Sequence, residues 1–125
     1  MGREDTPLFE RVGGEGFFAT LVEHFYVGVE ADELLRPMYP EDLEPGKVHL
    51  ANFLAQYWGG PATYEATRGH PRLRMRHAPY VITKRARDAW LEHMNNAVGQ
   101  MEMDEADRSE LLAYLDAAAH QLRNR

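Results

Sequence analysis

A chain of 125 residues with 44% hydrophobic and 27% charged residues is sized for one domain, 1–125, around one hydrophobic core. It contains no cysteine, which excludes disulfides, thiolate metal sites and thiol catalysis, and its net charge of −6 argues against a nucleic-acid binder. No apolar run reaches the roughly 18 residues of a membrane span, and Met1-Gly-Arg-Glu-Asp-Thr-Pro7 lacks the apolar stretch of a secretory signal, so a soluble, cytoplasmic protein is expected.

Hydrophobic spacing is helical along nearly the whole chain. Thr6-Pro7 predicts a helix start with a hydroxyl cap and a proline at the first helical position, and Gly13-Gly14 ends that helix within two turns. Phe18, Leu21, Val22, Phe25, Tyr26 and Val29 recur at i, i+3, i+4 and i+7, which predicts a helix over 15–30 with Tyr26 on its inner edge. Asp32 to Met38 suits a short helical turn, closed by Tyr39-Pro40. A third helix is expected over 46–58, with Leu50, Phe53, Leu54, Tyr57 and Trp58 as its apolar stripe and Gly59-Gly60-Pro61 as its stop.

Residues 60–69 read as irregular, and His70-Pro71 opens a helix that Pro79 limits to about two turns. Thr83 suits the cap of a long helix, 84–101, in which Ala86, Trp90, His93, Met94, Ala97, Val98 and Met101 share a face. A final helix over 105–122 carries Leu111, Leu112, Leu115, Ala118, Ala119 and Leu122. Nothing reads as a strand or a repeat, so the expected fold is all-α.

Charge is unevenly spread. Between Ala66 and Arg87 there are seven Arg or Lys residues and no Asp or Glu, a basic surface suited to a small anion or an anionic cofactor. Six histidines, at 24, 49, 70, 77, 93 and 120, include no pair at the spacing that sets two metal ligands on one helical face. His24 and His120 read as surface imidazoles, His93 as a hydrogen-bonded structural histidine and His70 as a helix-entry residue. His77 stands at the end of the short helix, where Pro79 fixes the exit. A histidine so placed either interacts with the helix dipole or serves as the single protein ligand of a haem iron, for which the porphyrin supplies four nitrogens. Tyr26, Tyr39 and Trp90 are apolar bodies with polar tips, suited either to an aromatic core or to a cavity whose donors converge on a ligand. The one serine, Ser109, lies among charged residues, which leaves a serine triad without a nucleophile.

An ordered set of motifs resembles the truncated haemoglobins, specifically group II, across Phe9 to Leu122: Val12-Gly-Gly14, Phe25-Tyr26, Met38-Tyr-Pro40, Phe53-Leu-x-x-Tyr-Trp-Gly-Gly-Pro61, Arg68-Gly-His-Pro-Arg-Leu-Arg-Met-Arg-His77-Ala-Pro79 and Asp88-Ala-Trp90. The resemblance implies a two-over-two helical sandwich around haem b, iron protoporphyrin IX, with 15–30 as the B helix, 46–58 as E, 84–101 as G and 105–122 as H. It implies that His77 is the proximal iron ligand, Tyr26 the B-helix distal tyrosine, Trp90 the G-helix tryptophan and Tyr39 the inter-helix distal residue. Gly46 falls where other globins carry a distal histidine, with Leu50 one turn later. Phe53, Leu54, Leu73, Tyr80 and Met94 complete the haem-contacting set, and Arg76 is the first choice for a haem propionate, ahead of Arg72, Arg74, Lys84 and Arg85.

The implied function is reversible binding and transport of O2, with CO and NO as further ligands. NO or peroxide detoxification would need a reductase. A peroxidase-like enzyme shares the same pocket, while a non-haem interaction module on the basic 68–87 face is the reading from another class. A homodimer is open.

Overall fold

The computed structural model describes residues 6–69, 77 and 81–124, and among them every regular element is helical. In chain order these are α1 (Leu8–Arg11), α2 (Glu15–Ala31), a 3-10 turn (Arg36–Met38), α3 (Glu44–Tyr57), α4 (Thr63–Arg68), α5 (Lys84–Gly99) and α6 (Glu105–Leu122). The all-α expectation holds. Each of the four long helices lies within two residues of its predicted bounds, because a stripe of apolar side chains at helical spacing is long enough there to fix the element.

The local differences have local causes. Pro7 is the N-cap of α1 and extended (φ −58, ψ 149), so its carbonyl accepts the Glu10 and Arg11 N–H groups, and no side chain, Thr6 included, caps the helix. Helix α3 begins at Glu44, two residues ahead of Gly46, because Pro45 fits the first turn, where its missing N–H is not needed. The stretch expected to be irregular contains α4. Six residues are too few to show periodicity, and packing makes this helix: Tyr64 is buried, its ring meets Phe53 edge-on at 5.4 Å, and the Glu65 N–H donates to Gln56 Oε1 on α3 at 3.0 Å. Tyr57, assigned to the apolar stripe, is 53% exposed; its ring leans on Trp58 instead.

The chain forms two compact units, Met1–Glu23 with Asp42–Pro71, and His24–Glu41 with Arg72–Arg125. In the first, Phe18 is fully buried against Phe9 (stacked, 6.1 Å) and Phe17 (edge-on, 5.2 Å), with Leu21, Val22, Leu54 and Tyr64 completing the core. The chain reverses between α1 and α2 through Gly13 and Gly14 at φ 107 and 85, a region side chains rarely adopt. Lys47 joins Glu23 and Glu44 at 3.2 and 3.1 Å.

In the second unit α5 packs against α6, burying Met94, Ala97, Val98, Leu111, Leu115 and Ala119. Arg108 closes the hairpin by donating to the Val98 and Met101 carbonyls at the end of α5. Thr83 caps α5 as expected: the Ala86 N–H donates to its Oγ1 at 3.1 Å. Thr83→Ala is expected to lower stability by about 1 kcal/mol. Urea denaturation checks this, as a lower midpoint with an unchanged slope.

Candidate functional site

Tyr26, Tyr39 and Trp90 meet within the second unit. Phe25 and Tyr26 are consecutive on α2 and so point about 100° apart around the helix. Phe25 takes the Trp90 ring edge-on at 5.3 Å, while Tyr26 takes the Tyr39 ring edge-on at 5.8 Å. Tyr26 is 5% exposed and Tyr39 and Trp90 are half-buried. The Trp90 indole N–H is directed at the Tyr39 hydroxyl.

Burial raises the Tyr39 pKa well above the ordinary phenol value, and the neighbouring Tyr26 raises it further, against the opposing donation from Trp90. The proton therefore stays on Tyr39 throughout the neutral and mildly alkaline range. A phenol oxygen that accepts from an indole keeps its own O–H as a donor. In a spectrophotometric alkaline titration, wild type and Tyr39→Phe are expected to show the same tyrosinate absorbance up to about pH 11, one unit above the ordinary phenol value. A smaller tyrosinate rise in the variant would contradict it.

His77 is helical and half-buried. Its carbonyl accepts from Asn124 Nδ2 at 3.5 Å. Asn124 also exchanges two bonds with Ile82, its backbone N–H donating to the Ile82 carbonyl and its Oδ1 accepting the Ile82 N–H, so the chain just after α6 is tied to the segment leading into α5. Met94 lies one turn after Trp90 on the same face of α5, fully buried. Lys84 and Arg85 are exposed in the first turn of α5. Leu73, Arg76 and Tyr80, with Arg72, Arg74, His70-Pro71 and Pro79, lie outside the described residues.

The remaining candidates sit on α3, in the other unit. Gly46 is in its first turn, Leu50 and Phe53 are half-buried, and Leu54 is 2% exposed. Gly46, Leu50 and Leu54 follow one another at i, i+4 and i+8, on one face. A groove of about 270 Å3 between α2 and α3 is lined by other residues, among them Ala19, Val22, Lys47 and Ala51.

Among the described residues no three His, Asp or Glu side chains converge as a metal cage. What the second unit holds is the His77 imidazole, on a helical residue, and a cluster of neutral phenol and indole donors. That set fits a metal already held by a macrocycle, which needs one protein ligand and benefits from donors that carry no charge of their own.

One cluster was not legible in the sequence. His93 Nε2 lies 2.6 Å from Asp32 Oδ2, and Asp32 Oδ1 accepts the Leu34 and Leu35 N–H groups at 2.8 and 3.2 Å. His93 is a hydrogen-bonded structural histidine, as expected. Its partner, 61 positions away, leaves no spacing signal, although Ala31-Asp32-Glu33 at a helix exit is a recognisable side-chain turn.

A family model described as bacterial-like globin matches residues 7–124. The chain is 36% identical over 124 residues to "Group 2 truncated hemoglobin YjbI" of Bacillus subtilis (strain 168), covering 99% of this chain and 93% of that protein. Its fold matches the haemoglobin of the thermophilic phototrophic bacterium Chloroflexus aurantiacus with a TM-score of 0.93 at 52% identity, over 95% of this chain and 98% of that one. The group II truncated haemoglobin of Bacillus anthracis matches with a TM-score of 0.91 at 35% identity, over 95% and 97% of the two chains.

Proposed function

The chain belongs to the bacterial-like globin family, as a group II truncated haemoglobin with the two-over-two globin fold, and on that footing we propose that it binds haem b and, through it, O2 and other diatomic ligands reversibly. The observation that carries this reading is the meeting of Tyr26, Tyr39 and Trp90, three polar-tipped aromatics, beside one another in one unit. His77 would hold the iron, and the basic residues at 72, 74, 76, 84 and 85 would meet the propionates. The relative from Bacillus subtilis with a TM-score of 0.90 is described as an oxygen-avid haemoglobin, which supports the same reading for this chain.

Bound haem supplies an iron that takes a diatomic ligand and draws negative charge onto it. The chain's contribution is to offer hydrogen-bond donors in a pocket poor in water. Tyr39 keeps its proton because burial disfavours the phenolate, and the Trp90 indole, which does not titrate, fixes the direction of the Tyr39 hydroxyl by occupying its acceptor side. Phe25 and Tyr26 pack edge-on against the two rings and keep them in register. A buried phenol held in its protonated form neither takes up nor releases a proton readily near neutrality, which favours reversible ligand binding over peroxidase-like acid–base chemistry as the main role.

The test is the ultraviolet-visible spectrum of the purified protein in ferric, ferrous and CO-bound forms. A strong Soret band at one haem per chain, with a reversible O2 spectrum, is expected. No Soret band after addition of haem sinks the proposal.

A further inference from the structure

We propose that Asp32 and His93 are positioning residues, which hold the Tyr39–Trp90 pair in register through a closed ring of contacts. The proposal rests on the reading of that pair as the distal donors.

The ring can be followed bond by bond. His93 lies three residues after Trp90, so the two side chains leave α5 on the same face, one turn apart. His93 Nε2 meets Asp32 Oδ2 at 2.6 Å, and the other carboxylate oxygen gathers the Leu34 and Leu35 N–H groups. The Asp32 carbonyl accepts from the Arg36 N–H at 2.8 Å, which starts the 3-10 turn. The Tyr39 N–H donates to the Arg36 carbonyl at 3.1 Å, and the Arg36 guanidinium wraps the carbonyls of Tyr39, Pro40 and Glu41 at 3.4, 2.9 and 2.9 Å. The ring closes through the edge-on contacts of Tyr39 with Tyr26, Tyr26 with Phe25 and Phe25 with Trp90, at 5.8, 5.3 and 5.3 Å, with the Trp90 N–H directed at the Tyr39 hydroxyl. Leu35, 2% exposed, anchors the segment in the core.

A second observation shows that this position of His93 is built into the fold. A Cβ placed on Gly28 of α2 would collide with the His93 imidazole. A glycine inside a helix costs roughly 1 kcal/mol relative to alanine, and here it lets the ring lie against the α2 backbone. Gly28 on one side and Asp32 on the other leave the imidazole one position. The side chains of His93 and Asp32 are 19% and 17% exposed, so their bond is partly shielded from water. Without it, the segment from Asp32 to Tyr39 keeps its internal bonds but loses its tie to the helix that carries Trp90.

The experiment compares Asp32→Ala, His93→Leu and Asp32→Asn in a Trp58→Phe background, which leaves Trp90 as the one indole. The asparagine amide keeps an acceptor for Leu34 and Leu35 and can still bond the imidazole. The first reading is the Trp90 indole N–H resonance of the purified full chain, which needs no haem. The second is the O2 dissociation rate of the haem-loaded protein. Asp32→Ala and His93→Leu are expected to move the indole resonance away from its hydrogen-bonded position and to speed O2 loss by about tenfold, one hydrogen bond's worth. Asp32→Asn is expected to restore the wild-type resonance. If Asp32→Ala does not fold, His93→Leu against His93→Gln, which keeps a donor, decides the matter in the same way. An unmoved indole resonance in folded His93→Leu overturns the proposal. A moved resonance in a chain that binds no haem supports the positioning role and overturns only the functional reading beneath it.

Discussion

His77→Ala is expected to abolish stable haem binding while leaving the helices intact. The proposed role rests on the physical fact that a porphyrin fills four iron positions and leaves the protein one strong bond to supply. Deleting a group that merely orients a metal ligand costs about 10–100-fold in affinity, and deleting the ligand itself should exceed that. The Asn124 contact at His77 is made to the backbone carbonyl, so alanine preserves it. Far-ultraviolet circular dichroism is expected to be unaltered, with the Soret band weakened or shifted on haem titration, and added imidazole should partly restore the wild-type spectrum. A variant with unchanged haem affinity and spectrum would remove His77 as the ligand.

Trp90→Phe carries the second largest effect. The substitution keeps an aromatic ring in edge contact with Phe25 but removes the N–H directed at Tyr39. A hydrogen bond to bound O2, given directly by Trp90 or by a Tyr39 hydroxyl that Trp90 orients, goes to a group bearing charge and is worth roughly 1.5–3 kcal/mol, so O2 dissociation is expected to rise by about one to two orders of magnitude, as stopped-flow displacement by CO would record. A double-mutant cycle separates two routes to that result. If Trp90 acts by orienting Tyr39, then Tyr39→Phe added to Trp90→Phe should cost little more than either alone. If the two donors act independently, their effects should multiply. Unchanged dissociation in Trp90→Phe would assign the role to the tyrosines.

The extent to which the site was legible follows from the range of each signal. Phe18, Leu21, Val22, Phe25, Tyr26 and Val29 repeat every three or four residues, and five of the six are at most 1% exposed, with Tyr26 at 5%. Thr83 sits one residue before its helix, and its cap was readable for the same reason: the bond spans three residues. By contrast α4, six residues long, owes its existence to Tyr64 against Phe53 and to the Gln56 side chain, contacts that neighbouring residues do not encode.

The amino-acid sequence by itself determined the four long helices, the two glycine turns and the residue types at the candidate site, because periodicity, capping and backbone freedom act over one or two turns of chain. The tertiary structure decided which of those residues touch. That the Trp90 N–H is directed at Tyr39 while the two tyrosines meet edge-on, and that Asp32 crosses 61 positions to hold His93 beside Gly28, depends on how α2, the turn after it and α5 pack. A side-chain hydrogen bond reaches about 3 Å in space and is indifferent to distance along the chain, so no spacing in the sequence records it.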